Sequence, residues 1–107
     1  MHSGTRLAAV DLGSNSFRLE IARIDMGQLQ PMEYHKETVR QGADLDAERL
    51  LSQDAMQRGW SCLARFAERL AGFQPAQVRA VATQTLREAR NRDEFLSVAQ
   101  RILGFPI

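Results

Sequence analysis

Asp11, Gly13, Ser14, Asn15 and Ser16 form the group of residues in this chain best suited to phosphate chemistry. Asp11 closes an apolar run, and a turn of small donors follows it. Residues 7–10 are apolar without a break, the pattern of a strand buried on both faces. Gly13 can take a positive φ and has no side chain to shield the neighbouring N–H groups. With Ser14, Asn15 and Ser16 it has the parts to wrap a phosphate. Asp11, beside the turn, can hold a hydrated divalent cation, Mg2+ or another. The same residue types also build ordinary hairpin turns, so spacing alone leaves both readings open. Further on, Arg87 lies four residues beyond Thr83 and offers a guanidinium able to grip phosphate in bidentate fashion. The plain alternative is a surface arginine paired with Glu88 or Glu94.

Other candidates are weaker. His2 and His35 have no partner at metal-ligand spacing. Cys62 is the single cysteine, which excludes a disulfide framework, and reads as a small buried filler. Trp60 and Phe66 read as core. Arg18 alternates with Phe17 and is expected on a sheet face, and Arg40 suits a structural pairing as well as a substrate contact. A net charge of +1 argues against general nucleic-acid binding, which calls for a basic excess. No apolar run is long enough to span a bilayer. The polar start leads directly into the first strand, without a secretory pattern, so the expected location is cytoplasmic.

The elements that must position these residues follow from periodicity. Strands are expected over residues 6–13, 16–25 and 30–40, the second alternating Phe17, Leu19 and Ile21 with Arg18 and Glu20. Gly27 sits in the turn between the second and third. Pro31 is tolerable only near a strand start or on an edge. Ser52 is a good N-cap for a helix with a stripe of Met56, Trp60, Leu63, Ala67 and Leu70, ended by Gly72. Residues 78–83 form a fourth strand, reached by a helical crossover and therefore parallel to the first. Residues 84–89 make a short helical turn. Asn91 and Glu94 resemble a capping box opening a last helix that Gly104 and Pro106 stop. The order β-β-β-α-β-α gives an α/β or α+β chain with a mixed sheet in spatial order three-two-one-four. No repeat or linker divides its 107 residues, which suit one small domain.

The segment Ala9-Val10-Asp11-Leu12-Gly13-Ser14-Asn15-Ser16-Phe17-Arg18-Leu19 resembles the first phosphate-loop motif of the exopolyphosphatase and guanosine pentaphosphate phosphohydrolase family. Val81-Ala82-Thr83-Gln84-Thr85-Leu86-Arg87-Glu88-Ala89-Arg90-Asn91 resembles its next signature. Lys36-Glu37-Thr38-Val39-Arg40 and residues 51–58 match between them, in the family's order from Leu7 to Ile107. One departure is Gly42-Ala43-Asp44-Leu45-Asp46, where the family has a Gly-Leu pair. The resemblance implies the N-terminal portion, residues 1–107, of a ribonuclease-H-like, actin-like ATPase half-domain in a larger two-lobed enzyme. It implies phosphate binding by Gly13, Ser14, Asn15, Ser16, Thr83 and Arg87, with Asp11 at a divalent metal.

The implied substrate is inorganic polyphosphate or guanosine pentaphosphate, with no nucleic acid as partner. The implied general-base glutamate lies beyond Ile107, leaving this portion with no catalytic residue and inactive alone. An exposed apolar edge of the incomplete half-domain would favour a homodimer. Two other functions fit the same turn: an ATP-dependent kinase or ATPase of this superfold, and a non-catalytic phosphate-binding or dimerisation module.

Overall fold

The computed structural model of the chain describes residues 3–41 and 48–107. The 42–46 loop that departs from the family pattern and His2 lie outside them. Four strands form one mixed sheet in the order β3-β2-β1-β4: β1 Arg6–Leu12, β2 Ser16–Asp25, β3 Gln28–Thr38 and β4 Val78–Ala82. β1 is antiparallel to β2, and β4 is parallel to β1, with Val10 beside Ala80 and Asp11 beside Val81. The expected topology and mixed sheet are present.

Helix α1, Gln53–Arg69, starts at Ser52, whose hydroxyl accepts from the Ala55 N–H at 3.0 Å. The helix closes at Leu70, two residues before Gly72, whose φ of +89° belongs to the following turn. A short 3-10 turn, Pro75–Gln77, leads into β4. Helix α2, Gln84–Glu88, and helix α3, Arg92–Leu103, complete the chain, with Gly104 left-handed at the α3 terminus. Asn91 stands at the start of α3 but makes no side-chain cap. Its amide instead pairs with the backbone of Leu51, accepting from the N–H at 2.9 Å and donating to the carbonyl at 3.0 Å. The capping-box reading is therefore wrong: a backbone pair 40 residues away in sequence takes the side chain that a local cap would use.

The helices cover one face of the sheet. Val10, Leu12, Phe17, Leu19 and Ile21 point into a core closed by Leu63 and Phe66 of α1 and by Phe95 and Leu103 of α3. Trp60 stacks on Phe95 with ring centroids 5.9 Å apart and donates its indole N–H to the Phe95 carbonyl at 3.1 Å. The opposite face carries Ala9, Arg18, Glu20, Tyr34, Lys36, Arg79 and Val81, all exposed.

β2 and β3 are joined by a tight turn at Met26 and Gly27, with φ of +52° and +81°, as right-twisting hairpins prefer. β3 starts at Gln28, two residues before its expected start. Between the Ala22–Pro31 and Ile21–Glu33 pairs the register shifts by one residue. Met32 is the extra residue of this bulge, next to a proline that cannot donate to a ladder. Met26, Leu29, Met32 and Tyr34 of this hairpin are exposed.

Gly59 marks the tightest helix contact. A Cβ there would lie 2.9 Å from the Phe95 ring and 3.1 Å from the Gln41 amide nitrogen, and Gln41 is buried and donates to the Ala55 carbonyl. Gly59→Ala should cost about 1–3 kcal/mol through overpacking. Denaturant unfolding will measure it, and an unchanged midpoint would show that α1 and α3 separate easily.

Candidate phosphate-binding site

The turn after β1 is a junction of three strands. The Gly13 N–H donates to the Ser16 carbonyl at 3.0 Å. The Asn15 carbonyl accepts from the N–H groups of Val39 and Arg40 at 2.9 and 3.0 Å, joining the end of β3 to the turn. The Leu12 carbonyl accepts from both the N–H and the hydroxyl of Thr83, at 3.0 and 2.9 Å. Thr83 therefore fastens the end of β4 to the start of the turn.

These bonds change the role of Gly13. It is not at a positive φ, and its N–H is spent inside the turn. Glycine is required for a different reason: a Cβ would come within 2.7 Å of the Ser16 carbonyl oxygen. Among the described residues, the Ser14 and Asn15 N–H groups have no backbone acceptor. They are the donors the turn can give to an anion.

Asp11, Gly13, Ser14, Asn15, Ser16 and Thr83 line one hollow of about 280 Å³ together with Arg18 and Lys36. The strand register explains the last two. Asp11 pairs with Arg18 across β1 and β2, and Arg18 pairs with Lys36 across β2 and β3. The three side chains form a row on the open face leading up to the turn. The sequence placed Arg18 on a sheet face without linking it to the turn, and Lys36 carried no assigned role. The available signal was parity: Asp11 and Arg18 fall at the same remove on either side of a tight connection.

Arg87 is elsewhere. It lines a neighbouring hollow of about 680 Å³ at the free edge of β4, with Ala80, Val81, Ala82, Leu96 and Ile107. Thr83 borders both hollows, so it is the link between Arg87 and the turn. The backbone N–H of Arg87 donates to the Thr83 carbonyl, and the side chain is exposed. Arg40 also remains outside the hollow, with a left-handed backbone at φ +53° and an exposed side chain.

The hollow mixes one carboxylate and several hydroxyl or amide groups with two cations. A hydrated divalent cation with oxygen ligands suits Asp11 beside Ser14 and Ser16. No group of three His, Cys, Asp or Glu side chains converges among the described residues. Among the described residues the hollow thus offers one carboxylate, Asp11, that could hold such a cation directly or through water.

Shifted ionisations sit on the helix-covered side of β3. Arg65 holds Glu37 with two nitrogens, at 2.8 Å from Nε and 2.5 Å from a terminal nitrogen, and lowers the Glu37 pKa. Burial, then the Glu37 charge, pushes the Cys62 thiol up to about 12. A thiol held protonated in this way is a poor nucleophile. The His35 ring, 2.9 Å from Glu33, lowers the pKa of that carboxylate.

Comparison with known proteins then decides the assignment. The model of the Ppx/GppA phosphatase family matches residues 20–107. The chain belongs to the Ppx/GppA phosphatase family. The fold also superimposes on the PPX-GPPA enzyme of Aquifex aeolicus with a TM-score of 0.85 and 31% identity, over 96% of this chain and 36% of that one. An exopolyphosphatase-like protein matches with a TM-score of 0.84 and 33% identity, over 94% of this chain and 31% of the other.

An exopolyphosphatase from Cytophaga hutchinsonii shares the fold with a TM-score of 0.86 at 21% identity, over 95% of this chain and 33% of that one. This chain therefore spans about a third of the length of these Ppx/GppA relatives. The family model begins within β2, and the structural matches carry the likeness back across the turn. No helix among the described residues is long and apolar enough to cross a membrane.

If the turn geometry depends on Gly13, Gly13→Ala should destabilise the chain by about 1–3 kcal/mol, because the obstacle is backbone rather than a movable side chain. Thermal and denaturant melts of the variant check this. A stability equal to wild type would mean that the turn relaxes around a Cβ.

Proposed function

We propose that this chain forms one wall of an exopolyphosphatase site, where it binds the terminal phosphate of inorganic polyphosphate. Guanosine pentaphosphate, which presents a similar terminal phosphate, is a second substrate of the same site. The observation carrying this reading is the shared hollow. It combines the free Ser14 and Asn15 N–H groups, two cations and Asp11 at the carboxyl end of β1, in a chain of the Ppx/GppA phosphatase family.

In hydrolysis, a water oxygen bonds to the terminal phosphorus, the P–O–P bond breaks, and the shortened chain departs with the bridging oxygen. This chain's residues bind and orient. The Ser14 and Asn15 N–H groups donate to oxygens of the terminal phosphate. Arg18 neutralises charge that spreads over those oxygens in a loose transition state. Asp11 would hold a divalent cation, which would supply positive charge to offset that of the phosphate. Thr83 keeps the turn in register with β4. The base that takes the proton from water is, as the family resemblance implies, a glutamate beyond Ile107; Asp11 is the single carboxylate lining the hollow among the described residues.

Phosphate release from polyphosphate, with magnesium present, tests the assignment. The whole protein should release phosphate, and residues 1–107 alone should not. Arg18→Met should lower kcat/KM in the whole protein by about 10–100-fold, from loss of a charge-assisted contact of about 1.5–3 kcal/mol. Robust release by residues 1–107, abolished in Asp11→Asn, would place a base within this chain and overturn the division of labour. Unchanged kcat/KM in both Arg18→Met and Asp11→Asn would remove the hollow from the reaction altogether.

A further inference from the structure

We infer that Lys36 reads the length of the phosphate chain, binding phosphate groups behind the terminal one as the chain crosses from β1 towards β3. The inference rests on the proposal that the hollow binds polyphosphate and gives it a direction. Three observations support it.

First, Arg18 and Lys36 are directly opposed in the β2–β3 register. Like charges directly opposite one another in a sheet are destabilising. Among the described residues neither cation has a salt bridge. Asp11 faces Arg18 from β1 but lies two strands from Lys36, Glu37 points to the other face and is held by Arg65, and Glu20 lies opposite Tyr34. Asp11 can offset at most one of the two charges, so the opposed pair leaves room for an anion brought from outside.

Second, both cations face the same hollow as the turn, so that anion is continuous with the one the turn binds. Third, strands lie about 4.8 Å apart, which places the Lys36 backbone about 10 Å from that of Asp11. A terminal phosphate on the Ser14 and Asn15 N–H groups is served by the turn and by Arg18. Lys36 stands one strand further out, where a linear chain of several phosphates arrives and orthophosphate does not. A flexible ammonium suits this task, since the contact is to a run of equivalent charges rather than to one fixed oxygen pair.

The test is binding of orthophosphate, tripolyphosphate and long-chain polyphosphate to the wild-type protein and to Lys36→Met, Lys36→Arg, Arg18→Met and Arg101→Met. Arg101 is an exposed cation of α3 and controls for loss of one positive charge. Lys36→Met should weaken long-chain binding about tenfold or more while changing orthophosphate binding by less than about twofold, with Lys36→Arg restoring most of the loss. Arg18→Met should weaken all three ligands, and Arg101→Met none.

Thermal melts supply a second readout. Without ligand, Lys36→Met should melt no lower than wild type, since an opposed like charge has been removed, and polyphosphate should raise its midpoint less than that of wild type. An equal loss for every ligand length, or no loss, in Lys36→Met overturns the length-reading role while leaving the hollow as a phosphate site. Polyphosphate binding indifferent to Arg18→Met overturns the phosphate site itself, and the inference with it.

Discussion

Two carbonyl oxygens hold the functional end of this molecule together. The Leu12 oxygen accepts two bonds from Thr83, and the Asn15 oxygen accepts two from Val39 and Arg40. Each carbonyl has two lone pairs, and each of these two carbonyls, at the ends of β1 and of its turn, accepts two bonds. The effect is to lock β4 and the end of β3 onto one short segment. These two oxygens are spent on the protein, while the Ser14 and Asn15 N–H groups have no backbone acceptor among the described residues.

The sheet then divides its labour by face. Apolar residues of β1 and β2 alternate onto the helical side, where Phe66, Phe95 and Leu103 bury them. The intervening residues are left to the open side, where Asp11, Arg18 and Lys36 line up. Packing on one side therefore fixes the geometry on the other. A rigid core holds each strand's rotation about its own axis, and period-two alternation converts that rotation into side-chain direction. The cations and the carboxylate are presented from strands rather than from a loop, so the core holds their positions.

The open face is also where the structure stores unfavourable electrostatics. Arg18 opposite Lys36 is a poor arrangement for a free sheet, and natural sheets tolerate such arrangements at functional positions. On the helical side the opposite holds, with Arg65 meeting Glu37 and the Cys62 thiol kept protonated behind them. The helical side of β3 is thus neutralised pairwise, while the open side sets two cations against one carboxylate around the hollow.

Much of this was legible in the residues themselves. Alternation in β2, the stripe of α1, the Ser52 cap and the helical crossover determined the four-stranded mixed sheet, because each rests on local periodicity or a short-range hydrogen bond. The turn after Asp11 was equally plain. Its inner bonding was not: whether Gly13 is needed for its φ or for lack of a Cβ depends on where the Ser16 carbonyl points.

Long-range side-chain hydrogen bonding was out of reach for the same reason. Asn91 has the spacing of a cap, and only the folded chain brings Leu51 to it. Most consequential is the bulge at Met32. Counted from the Met26–Gly27 turn without it, Arg18 would face His35, and the outer half of β3 would present the other set of side chains to each face. One extra residue turns Lys36 to the open side and Glu37 towards Arg65. A one-residue shift reverses every side chain beyond it. Residue types gave this chain the parts of a phosphate site; strand register, which the β3 bulge shifts by one, decided which cations line the hollow.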